Sequence, residues 1–137
     1  MEQKLSFEEQ LARANETNPY MRHNRIRAVE LTAEYSRVTA EMAPELKNAM
    51  GGVHGGLMFV MAEIAAGLLV RSDGRRYVTL DSSFRFLSGG SGEASLCGEA
   101  RLTKRGRTVC FAKASVKEPG SGRVLAEGDF TFYCLDA

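Results

Sequence analysis

His54 stands between two glycine pairs, Gly51-Gly52 and Gly55-Gly56, and a lone carboxylate, Glu63, follows nine residues later. From Leu57 to Val70, Glu63 is the only charged residue, and the rest is apolar or glycine. A helix apolar on every side is a buried helix. A carboxylate inside it must be paired, protonated or functional, because burying it alone is expensive. Glycine lets the backbone approach a ligand closely, and the first turn of a helix leaves amide N–H groups without intrahelical partners. The helix dipole favours negative charge at that end. Gly55 and Gly56 at the helix start therefore offer a natural oxyanion site. A carboxylate facing it supplies a general base or a nucleophile. With no metal-ligand set beside them, an oxyanion hole and a carboxylate suggest acyl transfer to water.

On a single helix His54 and Glu63 would lie half a turn out of phase and about 13 Å apart along the axis. They cannot then meet within one subunit. Either His54 lies on the loop before the helix, or a two-fold axis brings Glu63 of one chain to the His54 loop of another. Both conditions can hold together.

The elements that must hold this segment follow from local pattern. Ser6-Phe7-Glu8-Glu9 is a capping box, opening a short helix over about residues 6–15 that Asn18-Pro19 breaks. Val29, Leu31 and Ala33 alternate with polar residues, then Val38, Ala40 and Met42 do so on the opposite parity. That switch predicts two strands joined by a turn near Glu34–Ser36. After the long helix, Arg71–Arg76 reads as a turn. Val78, Leu80, Ser82, Phe84 and Phe86 then alternate with Thr79, Asp81, Ser83 and Arg85, predicting a strand with one largely polar face. Three more strands follow, over Ala94–Leu102, Val109–Val116 and Val124–Cys134, separated by glycine-rich turns. Small residues, Ala112 and Ala114, leave room for close packing. Two strands, one buried helix and four strands make an α+β fold with an antiparallel sheet. A curved sheet would wrap most of the helix, and a second subunit would cover the rest.

At 137 residues the chain is most simply one domain, spanning 1–137. Its net charge of +1 argues against binding nucleic acid by phosphate neutralisation. Residues 1–10 lack the apolar core of a signal peptide, and the apolar run is too short for a bilayer and carries Glu63 at its middle. Cys97, Cys110 and Cys134 are odd in number and lack C-x-x-C spacing, which fits a reducing compartment. A soluble cytoplasmic protein, with no membrane or nucleic-acid partner, is the expectation.

N-x(5)-H-G-G from Asn48 to Gly56, with an acid nine after the histidine, resembles the hotdog-fold acyl-CoA thioesterases of the phenylacetyl-CoA and hydroxybenzoyl-CoA type. The likeness runs from about Asn24 to Cys134 and includes the L-D-S-S-F-R-F strand after the helix. It implies a hotdog fold, with a curved antiparallel sheet around a long central helix. The implied reaction is hydrolysis of a small, medium or aromatic acyl-CoA to free acid and CoA, with no cofactor beyond the CoA of the substrate. The implied assembly is a homodimer or dimer of dimers with active sites between subunits. By resemblance Glu63 is the catalytic carboxylate, and the Gly55 N–H holds the thioester oxygen. Asn48 binds the carbonyl or positions water, His54 orients the loop and polarises the carbonyl region, and Thr79 supplies a hydroxyl for the water. Lys104, Arg105, Arg107 and Arg85 are the cations offered to the CoA phosphates. Family members closest in pattern usually carry Asp where this chain has Glu63, while a related subgroup uses Glu, which reaches one methylene further.

Blander readings stand beside these. Glu63 can pair structurally with an arginine at a subunit interface; Asn48 can be a turn residue and Thr79 an ordinary strand threonine. His54 can simply pack the loop, and Lys104–Arg107 can be a solvated hairpin tip. The cysteines read as small core residues, and Met50, Met58 and Met61 as core or pocket lining. Two other functions fit the same fold: a non-catalytic acyl-CoA sensor, and a hydratase or dehydratase. Pro19, Pro44 and Pro119 all lie away from His54, whereas hotdog hydratases usually have a proline-rich neighbourhood there.

Overall fold

The computed structural model describes residues 4–137. Ser6 caps the first helix, α1 (Phe7–Thr17), with the reciprocal bonds of a capping box to Glu9. Asn18 ends it and caps a second short helix, α2 (Pro19–His23), which has Pro19 in its first turn. The sequence pattern suggested only a break there.

Strands β1 (Ile26–Leu31) and β2 (Tyr35–Ala40) form the expected hairpin. A bulge at Val29 alters the facing pattern. Ile26, Ala28 and Leu31 are buried, whereas Val29 and Ala33 are exposed, against the simple alternation. A 3₁₀ turn over Pro44–Leu46 leads to the central helix, α3 (Gly55–Val70), which a second 3₁₀ turn, Arg71–Asp73, extends. Then come β3 (Tyr77–Phe86), β4 (Leu96–Arg105), β5 (Val109–Glu118) and β6 (Arg123–Cys134). Ala94, expected at a strand start, is exposed and precedes β4.

The six strands form one antiparallel sheet in the order β1-β2-β4-β5-β6-β3, packed on α3. Close approach is built in by small side chains. A methyl group at Gly98 would lie 3.3 Å from the Met61 carbonyl, and Ala100, Ala112 and Ala114 are buried. Ser36, fully buried in β2, donates its hydroxyl to the Ala65 carbonyl at 2.5 Å.

The two ends of the sheet differ. At the β1 edge, the Asn15 amide of α1 bonds both ways to Ala28, donating to its carbonyl at 2.9 Å and accepting from its N–H at 2.8 Å. The β3 edge has no such cover among the described residues, and Val78, Leu80 and Phe86 are exposed there.

Nor is the helix covered all round. Leu57, Met61, Ala62, Ala65 and Leu69 are buried, but Phe59, Val60, Glu63, Ile64 and Leu68 form a partly open stripe. By length and composition alone, Gly55–Asp73 is long and apolar enough to cross a membrane, contrary to the sequence expectation. More than half of it is buried inside the fold, in the manner of a core helix.

Candidate active site

Glu63 lies on the open stripe of α3, and its carboxylate accepts a hydrogen bond from the Thr79 hydroxyl at 3.1 Å. The partner is available because of a second bulge. Thr79 pairs with Phe132 and Asp81 with Thr131, leaving Leu80 unpaired. Directly opposed residues of antiparallel strands share a face. Thr79 therefore faces the core with buried Phe132, and Ser82, opposite buried Phe130, faces the same way. The simple alternation put Thr79 on the face opposite Phe84 and Phe86. The extra residue at Leu80 brings all three to the helix side.

His54 is the N-cap of α3, with extended backbone (φ −67°, ψ 132°), and its Nδ1 accepts from the Gly56 N–H at 2.8 Å. The ring proton therefore sits on Nε2. Of the two arrangements considered for His54, the loop position before the helix is the one found. Its N–H donates to the Leu46 carbonyl at 3.1 Å, tying the helix entrance to the preceding 3₁₀ turn.

Asn48 organises the loop between them. Its Oδ1 accepts from Met50 N at 2.9 Å and Gly52 N at 3.0 Å, and its Nδ2 donates to the Val53 carbonyl at 3.3 Å. This is the side-chain mimicry of a backbone turn that asparagine performs well. A second glycine-rich loop, residues 89–92, supports the first. A methyl group at Gly52 would lie 3.0 Å from the Gly90 carbonyl, and one at Gly92 would lie 2.4 Å from the Gly51 carbonyl. Lys47 and Glu93 bridge the loops at 3.0 Å.

The Gly55 N–H, first in the helix, has no hydrogen-bond acceptor among the described residues. The Phe86 ring lies against Gly55, so a methyl group there would be 3.2 Å from the ring. Phe86 in turn meets Phe84 edge-on at 5.3 Å between centroids, and Phe84 meets Phe59 in the same way at 5.3 Å. An unengaged donor at a helix N-terminus beside an aromatic wall is suited to hold a developing oxyanion.

Within one chain these parts form two half-sites. Glu63 and Gly55 are eight residues apart on α3, about 12 Å of helical rise. One half-site holds the carboxylate with its threonine. The other holds the free amide, His54 and the Asn48 loop.

The four cations offered to CoA phosphates do not gather. Arg105 turns inward to the end of α3, donating to the Val70 carbonyl and to Asp73 at 2.9 Å each. Tyr77 also donates to Asp73, at 2.7 Å. Arg85 lies beside Glu127 on the sheet face away from the helix, at 3.3 Å. Lys104 and Arg107 are exposed at the β4–β5 turn. Arg75 reaches that turn through the Arg107 carbonyl, at 2.9 Å.

The thioesterase superfamily model matches residues 50–124, and the chain belongs to that family. No curated protein matches it in sequence. Among solved structures, a conserved protein of Pseudomonas aeruginosa is 25% identical with a TM-score of 0.82, over 93% of this chain and 98% of that one. A Streptococcus mutans protein bound to acetyl CoA is 28% identical with a TM-score of 0.74, over 80% and 87%. A mutant of the phenylacetic acid degradation protein PaaI from Thermus thermophilus has a TM-score of 0.80 at 19% identity, over 86% and 100%, a likeness of fold. The sheet and helix described above are the hotdog fold of this family.

Proposed function

We propose that this protein is an acyl-CoA thioesterase that works as a homodimer. The reading is carried by one observation. The Glu63 carboxylate, held by Thr79, lies on the open stripe of the helix whose unengaged Gly55 N–H is about 12 Å away. A two-fold axis crossing that stripe at right angles, level with Phe59, would set the two helices antiparallel and bring each carboxylate to the partner's free amide. The β3 edge, with Val78 and Leu80 exposed, suits such pairing, because an uncovered strand edge is a template for another strand. Family membership supports thioester chemistry. Coenzyme A as the carrier is supported by the Streptococcus mutans relative bound to acetyl CoA.

In the proposed reaction the thioester oxygen accepts the Gly55 N–H at the partner helix N-terminus, with the Asn48 loop and His54 holding that turn rigid. Glu63 takes a proton from water as the oxygen attacks the carbonyl carbon. The C–S bond breaks as the tetrahedral intermediate collapses, and the CoA thiolate takes up a proton. The Thr79 hydroxyl orients the carboxylate. Glu63 can instead attack the carbonyl carbon directly, expelling the CoA thiolate, which takes up a proton, and forming a mixed anhydride that water then opens. Single turnover in ¹⁸O-water detects the direct route when water opens the anhydride at the Glu63 carbonyl, which leaves label in Glu63, whereas the general-base route puts all the label in the product acid. Lys104 and Arg107 are the cations still free to meet the CoA phosphates, and a reducing cytoplasm suits the three free, buried cysteines.

The test is thiol release by the purified protein across an acyl-CoA panel. Wild type should turn over at least one member, and Glu63→Ala should not, while keeping its circular dichroism. Equal inertness of both proteins across the panel would overturn the proposal.

A further inference from the structure

The open stripe of α3 continues beyond Glu63 into a cleft of about 850 Å³ between that helix and α1. Its floor is apolar, with Ile64, Leu68 and Met21. Its rim carries five basic side chains, Lys4, Arg13, Arg71, Arg75 and Arg76, against two acids, Glu63 and Asp73. Two of the five already have partners: Arg75 pairs with Asp73 at 2.9 Å and Arg76 with Asp136 at 2.7 Å.

Arg71 has no carboxylate within ion-pair distance among the described residues. One guanidinium nitrogen donates to the Tyr77 carbonyl at 3.2 Å. Its head folds back along the helix, so that a methyl group on Gly67 would lie 2.5 Å from Nη1. The missing side chain at Gly67 makes that conformation possible. Gly67 is one turn past Glu63, about 6 Å of rise. The two charges feel each other, since Glu63 opposes the desolvation that lowers the Arg71 pKa, yet they do not touch. A cation at a helix C-terminus is favourable in itself, but that alone gives no reason for its head to lie back over Gly67, toward the acid.

We propose that this cleft receives the acyl group and that Arg71 binds a second carboxylate at its far end, making short dicarboxylic monothioesters the preferred substrate class. This rests on the thioesterase reading. The thioester carbon would lie at Glu63, a few methylenes would cross Ile64 and Leu68, and the distal carboxylate would meet the guanidinium over Gly67. The same cation could instead meet a phosphate of coenzyme A, since both ligands present an anion on a flexible arm.

The measurement is the ratio of kcat/KM for glutaryl-CoA to that for valeryl-CoA, which has the same chain length. Wild type should favour glutaryl-CoA. Arg71→Met should lower the ratio roughly tenfold to hundredfold, the worth of one charge-assisted hydrogen bond. Arg71→Lys should recover part of it. Gly67→Ala, which displaces the guanidinium without removing it, should lower the ratio too. An unchanged ratio in Arg71→Met overturns the proposal. So does an equal rise in KM for both thioesters, which assigns Arg71 to coenzyme A. If no acyl-CoA is turned over, the thioesterase reading fails by itself. Calorimetric binding to Glu63→Gln then decides the present proposal: tighter glutaryl-CoA binding that Arg71→Met abolishes supports it, and equal binding of the two thioesters overturns it.

Discussion

Thr79 donates its hydroxyl proton to Glu63 across the gap between β3 and α3, at 3.1 Å. The bond exists because Leu80 is an extra residue in its strand, pairing with nothing on β6. One residue fewer would carry Thr79 to the other face of the sheet. Bulges often re-aim side chains beside functional sites, and this one gives the helix acid its only hydrogen-bonding side-chain partner among the described residues.

Thr79→Val should therefore slow turnover without unfolding the protein. Losing one hydrogen bond to a charged group is worth about 2 kcal/mol, or roughly thirtyfold in kcat. Steady-state kinetics beside a melting curve would check this, and Thr79→Ser should retain most of the rate.

Gly55→Pro tests the free amide with little disturbance. Proline is well suited to the first helical position, and the extended backbone of His54 is what a residue before proline prefers. The Phe86 ring must shift slightly, and it is exposed enough to do so. The variant should melt within a few degrees of wild type while kcat falls about 10²–10³-fold, the usual cost of one oxyanion donor.

Leu80→Lys, at the exposed β3 edge, should block strand-to-strand association. Light scattering would then report a mass near the 15.0 kDa of one chain, and activity would be lost with the dimer. A variant that remains dimeric and active would place the subunit contact elsewhere.

Asp73 should govern acid stability. Desolvation pushes its carboxyl upward, but hydrogen bonds from Tyr77 and Arg75 and the charge of Arg105 outweigh that, holding it below the ordinary 3.8. The stabilisation is complete above that value and is lost as pH falls through the lower native one. Asp73→Asn should cost about 2 kcal/mol at neutral pH, a partly exposed version of breaking a buried pair. The difference from wild type should shrink below pH 4 in urea titrations.

Much of this architecture was legible from residue pattern. The capping box at Ser6, the apolar run to Val70 and the four strands after it each carry a local cause that survives in the fold. The bulges at Val29 and Leu80 were not legible, because an unpaired residue is defined by the strand beside it, and alternation alone reads straight through. For the same reason Thr79 could be named but not aimed. Arg71 looked like one more cation in a turn, since its meaning comes from Gly67 four residues earlier and from α1 across the cleft. Arg105 was read as a surface cation of a hairpin, whereas its chain is long enough to reach back to the carbonyls ending α3.

The amide of Asn15 has a consequence for growth. A flat ribbon of strands with both margins bare can recruit copies at either side without limit, which is how filaments begin. Here one margin is interrupted at Ala28 by a side chain that imitates a neighbouring strand, and the other carries no such contact among the described residues. Two copies joined at the uninterrupted margin would consume it in both, and the Asn15 contact at the remaining margins would hinder growth beyond a pair. Removing the amide, as in Asn15→Ala, should therefore be seen first as slow turbidity in concentrated solution, before any change in catalysis.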